Sequence, residues 1–298
     1  MPMIRDERWI NPNTYLIDAA HEGISRIHAM YLLKSSDGGT CLVDAGTKSS
    51  ASVIYEKLKA LDAWPPDKII LTHSHWDHTQ GLVYLRKKAA ETGDSLKVLA
   101  SEKAMPYLKD QSFNICFGTD QMPYLNIDDV GGVKDGDVIT LGDDFSVTIL
   151  ATPGHMVDHI SIYDEKNSTI LVGDAIGMKW TPELLISNPN STFWNEKDYR
   201  ESIATIKSLN VETIGLTHFG CLVGDDATTF LDESVSIYEK WMDVFERNKD
   251  RLDDLPFIVG NLWKEVYPDV PEKLRVRADP GLTEAAEMAT RAFISRTT

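Results

Sequence analysis

The decapeptide THSHWDHTQG, Thr72 to Gly81, places four side chains able to ligate a metal, His73, His75, Asp77 and His78, within six consecutive positions. Burying so many polar groups for packing alone would cost several kcal/mol unless each found a partner. A metal centre supplies those partners. The loop follows the apolar run Ile69, Ile70, Leu71, itself preceded by Pro65 and Pro66. This pattern predicts a short buried strand that delivers the loop to one end of a sheet. Side chains alternate along an extended segment, so His73, His75 and Asp77 are expected to lean one way and His78 the other, letting one loop serve two neighbouring ions.

Three further polar positions also lie just beyond apolar strand signals. His155 ends Thr152-Pro153-Gly154-His155 after the run Phe145 to Ala151, Asp174 follows Gly173 after Thr169 to Val172, and His218 follows Thr217 after Thr213 to Leu216. Loops at one end of a sheet converge, so the chain offers five histidines and two aspartates to one place. Nitrogen and oxygen donors without thiolate suit zinc, iron or manganese, and favour a catalytic over a structural site. Two divalent ions are expected, with zinc preferred. Such a pair lowers the pKa of a bridging water from about 15.7 to about 7, giving a hydroxide able to attack a carbonyl carbon. Asp77 could orient that hydroxide as well as ligate. A thiolate, with a pKa of about 8.5, leaves with little protonation, which favours a thioester over an alkyl ester or amide and keeps lactones in view.

These motifs, the HxHxDH loop, the TPGH turn, the Gly-Asp turn and the late histidine, occur in the order seen in the metallo-β-lactamase fold superfamily. Between about Met30 and Gly220 the chain resembles that family's glyoxalase II, lactonase and thioesterase branches more than its lactamases. The resemblance implies an α/β fold of the αββα-sandwich type. It implies that His73, His75 and His155 hold one metal, that Asp77, His78 and His218 hold the second, and that Asp174 bridges them. Asp44, at a strand end, would support the site from behind, and His159 would take a structural or supporting role. The sequence departs from many relatives in reading Thr217-His218 for Gly-His and in placing Gln80 after Thr79.

The elements that must position these residues read as a mixed β/α chain. A hairpin over 28–34 and 40–44, turning at Gly38-Gly39, is followed by a helix over 51–61, the metal-loop strand, a helix over 82–90, a strand over 97–100 and a short helix over 102–109. Between 110 and 136 the signal weakens, yet Phe113, Phe117, Met122, Tyr124 and Leu125 suggest a lid or a packing cluster. A meander over 138–172 and a helix over 199–209 lead to the His218 strand. A helix over 228–247 follows, and then more helical material that includes 282–295. The chain therefore divides into a catalytic domain over 1–226 and a helical C-terminal extension over 227–298 that caps or completes it. Met178, Trp180, Leu184, Phe193 and Trp194 follow Asp174 and are candidates for the walls of an apolar substrate pocket.

Composition narrows the partners. The 298 residues can bury a sizeable core. With 30 basic and 46 acidic residues, the net charge of -16 repels phosphate backbones, and there is no membrane-length apolar run. A small-molecule substrate is expected, with no nucleic acid or membrane partner; a homo-oligomer is compatible. Three scattered cysteines and a charged N-terminus without a signal-peptide core fit a cytoplasmic protein. A dinuclear metal-dependent hydrolase of a small ester, thioester or lactone is the leading expectation. The alternatives are an iron-dependent redox enzyme of the same fold, resembling persulfide dioxygenases, and a ligand-binding or regulatory protein without significant turnover.

Overall fold

The computed structural model describes residues 3–117, 126–187, 189 and 193–297, with the side chains of 115–117 excepted. Two seven-stranded sheets face one another. In the first, Arg8–Asn11, Thr14–Asp18, Ala29–Lys34 and Thr40–Val43 run antiparallel, and Lys68–Ile70, Val98–Ser101 and Val130–Val133 continue parallel to the last of these. The second runs Met3–Ile4, Gly220–Val223, Thr213–Leu216, Thr169–Leu171, Ile160–Asp164, Ser146–Ala151, Val138–Thr140, antiparallel except where Thr169–Leu171 meets Thr213–Leu216.

Period-two alternation sorts the side chains into layers. Along Ala29–Lys34, Met30 and Leu32 join Ile54, Leu58, Leu82 and Leu85 of the helices Ala51–Ala60 and Leu82–Glu91 on the outer face. Tyr31 and Leu33 point the other way, into the layer shared with Val147, Ile149, Ile162 and Leu171 of the second sheet. On that sheet's outer face, Ile170, Ile214 and Leu216 pack against Tyr199, Ile203 and Ile206 of the helix Glu196–Ser208 and against Phe230 and Leu231 of Asp225–Arg247. Helix, sheet, sheet, helix is the resulting order. Because both faces of each sheet are covered, the strands read as nearly unbroken apolar runs.

Residues 130–133, Val-Gly-Gly-Val, form the edge strand of the first sheet, where a Cβ at Gly131 would sit 2.9 Å from Leu99 Cδ2. The last helix spans Glu272–Thr297 with Pro280 inside it and contains the expected 282–295. Its Leu282, Ala285, Ala286 and Phe293 pack with Trp241, Phe245, Ile258 and Leu262 around the hairpin Met178–Thr181/Leu184–Ile186. Among the described residues no helix is long and apolar enough to cross a membrane.

Candidate metal centre

Strand direction explains why the ligands meet. Thr40–Val43 and Lys68–Ile70 are parallel, so Asp44 and the His73 loop emerge at one end of the first sheet. In the second sheet Thr169–Leu171 and Thr213–Leu216 are parallel, and Ser146–Ala151 is antiparallel to the strand between it and Thr169–Leu171. The turns bearing His155, Asp174 and His218 therefore leave that sheet at a common end. A backbone bond from Ile160 N–H to Thr72 O, 2.8 Å, joins the two sheets there.

The His73 loop is less extended than its sequence suggests. His75 is extended (φ -61°, ψ 150°), but a helical turn begins at Trp76 and runs to Thr79, so helix geometry, not strand alternation, separates Asp77 from His78. The loop is pinned from several sides. Thr79 Oγ1 donates to His75 O (3.0 Å), and Gln111 Nε2 donates to Ser74 O (3.1 Å) and Thr79 Oγ1 (2.9 Å). The buried Gln111 and Asn114 make the start of the 110–136 segment a buttress; Met122, Tyr124, Leu125 and the side chain of Phe117 lie outside the described residues. Gly81 is required because a Cβ there would lie 1.9 Å from Ala45 O.

Two groups of donors result, and all seven predicted ligands take part. His73 Nε2 and His155 Nε2 each lie 2.9 Å from His75 Nδ1. Around Asp77 Oδ2 stand His218 Nε2 at 3.4 Å and His78 Nε2 at 3.8 Å. Asp174 reaches both groups: its Oδ2 is 3.7 Å from His155 Nε2 and 3.4 Å from His218 Nε2, and its Oδ1 is 3.6 Å from His78 Nε2. Among the described residues His78 Nε2 is buried without a hydrogen-bond partner while facing the carboxylates of Asp77 and Asp174. Divalent cations fit this donor set.

Supporting contacts fix each ring. Asp44, at φ +63°, accepts from Thr72 N–H (2.7 Å) through Oδ1 and meets His78 Nδ1 at 2.7 Å through Oδ2. That contact turns His78 Nε2 toward the centre. His159 Nε2 accepts from Asp174 N–H (3.1 Å), which places its proton on Nδ1 to donate to Thr152 Oγ1 (3.0 Å). His159 thus holds the Asp174 turn, and it stacks on His73 at 4.9 Å. The His155 turn is tied to the helix Glu196–Ser208 by Asn195 N–H to Gly154 O (2.8 Å) and Ser202 Oγ to Pro153 O (2.6 Å). Asn195 also caps that helix through Asp198 N–H.

Burial, followed by the neighbouring imidazoles, pushes His73 and His75 well below the usual histidine range. Burial also opposes a charge on His78 and His218, but carboxylates outweigh it: Asp44 with Asp77 raises His78, and Asp174 with Asp77 raises His218 to about 9. Beside the triad, the rings of Phe113 and Phe193 stand 5.9 Å apart, Tyr107 is 5.5 Å and 5.2 Å from them, and Phe113 is 6.0 Å from His75.

The chain matches the family model of the metallo-beta-lactamase superfamily over residues 25–218. The chain belongs to the metallo-β-lactamase superfamily. Its fold is similar to that of a metallo-beta-lactamase family protein from Thermus thermophilus, with a TM-score of 0.59 and 18% identity over 97% of this chain and 95% of that one. A beta-lactamase domain protein from Burkholderia ambifaria gives 0.63 at 14% identity, over 99% and 90%. The probable metallo-hydrolase YqjP of Bacillus subtilis is 24% identical, over 82% of each chain. A hydroxyacylglutathione hydrolase of Rhodopseudomonas palustris is 27% identical over 47% of this chain, and the matched stretch is 44% of that relative's length.

The metallo-β-lactamase scaffold places the expected pocket residues unevenly. Leu184, with 0% exposure, and Met178 pack in the core of the C-terminal helical layer. Trp180 packs against that layer, close to Gly281. Trp194 is buried with Tyr199 and Tyr238. Phe193 alone of the five joins the aromatic cluster beside His75. The sequence reading missed His28, whose Nε2 lies 3.5 Å from Asp77 Oδ2. The signal was present: His28 opens the first strand of a hairpin whose second strand ends at Asp44.

Proposed function

We propose that this metallo-β-lactamase-fold protein is a dinuclear, zinc-dependent hydrolase of a small ester-type substrate, with thioesters and lactones favoured. The observation that carries the reading is Asp174, one carboxylate standing 3.4–3.7 Å from imidazoles of both donor groups. His73, His75 and His155 would hold one cation, Asp77, His78 and His218 the other, with Asp174 shared. Such cations supply Lewis acidity and a water acidic enough to ionise at neutral pH. The residues of the chain do the remaining work. Asp77 and Asp174 present carboxylate oxygens able to hold and orient the attacking water, Asp44 and His159 fix the geometry, and the Tyr107, Phe113, Phe193 rings offer an apolar surface beside the triad for an acyl group. The similarity to hydroxyacylglutathione hydrolases favours a thioester, since acyl and glutathione are joined by one.

Elemental analysis of protein purified without added metal, together with turnover on a thioester and lactone panel, tests this. Two zinc ions per chain and thioester or lactone turnover, both lost in Asp174→Ala, are the expected outcome. A single iron, or two zinc ions with no turnover of either bond, would overturn it.

A further inference from the structure

All eight histidines of the chain join one network of ring contacts, and two of them, His21 and His28, belong to no motif. His28 is 3% exposed, and its Nδ1 is buried without a hydrogen-bond partner among the described residues. Its Nε2 faces Asp77 Oδ2 at 3.5 Å, and donor atoms of His28, Asp77 and His218 all lie within 4.8 Å of one another. We propose that His28 is a direct ligand of the second cation, so that this ion meets three imidazoles, His28, His78 and His218, around Asp77, with Asp174 shared. This rests on the dinuclear reading and extends its ligand set.

The distances separate ligation from a hydrogen bond. Two donors held about 2.1 Å from one ion at angles of 90–109° stand about 3.0–3.4 Å apart. His28, His218 and His78 surround Asp77 Oδ2 at 3.5, 3.4 and 3.8 Å, whereas the hydrogen-bonded pair His78–Asp44 closes to 2.7 Å. His28 therefore stands to Asp77 as the two motif histidines do. The backbone holds it there. Ala19 N–H donates to His28 O (2.9 Å) and Ala29 N–H donates to Thr217 O (2.8 Å), tying His28 to the residue before His218. Its ring is clamped edge-on by His218 at 4.4 Å and stacked by His21 at 4.8 Å. A buried imidazole so restrained, with one nitrogen aimed at a carboxylate beyond hydrogen-bonding reach, is already placed for an ion between them.

The test is titration of metal-free protein with Co²⁺, followed by proton spectra of hyperfine-shifted, solvent-exchangeable imidazole N–H signals. The wild type should take two equivalents and show six such signals, from His28, His73, His75, His78, His155 and His218. His28→Gln should keep the first equivalent at wild-type affinity, weaken the second by about 10-fold or more, and lose one signal. His21→Gln, which removes only the stacking ring, should keep all six. Five signals in the wild type, or a second equivalent bound by His28→Gln within about twofold of wild type, would overturn the assignment while leaving two ions in place. A wild type that binds fewer than two equivalents would overturn the dinuclear reading together with it. The wild-type signal count holds even if the variant folds poorly.

Discussion

The two sides of Asp174 hold protons differently. On one side His73 and His75 are driven neutral by burial and by their imidazole neighbours. On the other, His78 and His218 sit among Asp44, Asp77 and Asp174 and keep their protons in the metal-free protein. The first side offers lone pairs at neutral pH; the second exchanges protons for a cation. In the proposed dinuclear centre one site would be ready for its cation at neutral pH, and the occupancy of the other would follow pH.

The strongest way to break this comparison is to remove a group that belongs to one side only. Asp77 Oδ2 faces His28, His78 and His218, all imidazoles of the second group. Asp77→Asn is expected to weaken the second cation by more than the ~100-fold upper range of an outer-shell change, with the first unaffected. Sequential isothermal titration would show this, and equal weakening of both would mean the sides are not separable. Asp44→Asn acts one step back, through His78 Nδ1 and Thr72 N–H. A loss of about 10–100-fold at the second position is expected, measured in the same way.

pH sharpens the contrast. His218 has its pKa raised from 6.5 to about 9 in the metal-free protein, so below that value a cation must displace its proton. Affinity at the second position should rise about tenfold per pH unit for each proton displaced, with the His218 contribution levelling near pH 9, while the side of His73 and His75 stays flat around neutrality. The sign reverses for the metal-free fold. A raised histidine pKa contributes stability that is complete below 6.5 and lost as pH climbs through about 9. Metal-free protein should therefore melt earlier at pH 9 than at pH 6.5, and metal-loaded protein should not follow it; scanning calorimetry at both values decides.

Much of this centre was legible because its signals are local. His73, His75, Asp77 and His78 share one loop, and His155, Asp174 and His218 each follow an apolar run that became a strand. What escaped depended on pairing. His28 enters through antiparallel pairing of Ala29–Lys34 with Thr40–Val43, whose register sets Tyr31 opposite Val43 and so brings the start of one strand to the end of the other. The edge strand over 130–133 was hidden by glycines, which carry no β-propensity and are tolerated there by the close approach of Leu99 and Glu102. The last helix continues through Pro280 because its packing outweighs propensity. Met178 and Leu184 were apolar near the site in sequence but belong to the helical layer in space, a distinction composition does not carry.

The smallest predicted effect lies behind His218. Tyr31, 2% exposed, places its hydroxyl 2.9 Å from both Leu216 O and Gly220 O, the carbonyls flanking the His218 turn. Tyr31→Phe leaves those buried carbonyls without that donor, at a cost of about 1–3 kcal/mol. The turn keeps two backbone anchors, Ala29 N–H to Thr217 O and Lys179 N–H to His218 O (2.7 Å). His218 should therefore stay near its place, and the variant should melt at lower temperature with a second-cation affinity only a few-fold weaker and an unchanged first. Loss of both cations in Tyr31→Phe would show that the turn is shared by the two sides, because the Tyr31 hydroxyl meets Leu216 O, Gly220 O and Cys221 Sγ, all on the strands that carry His218.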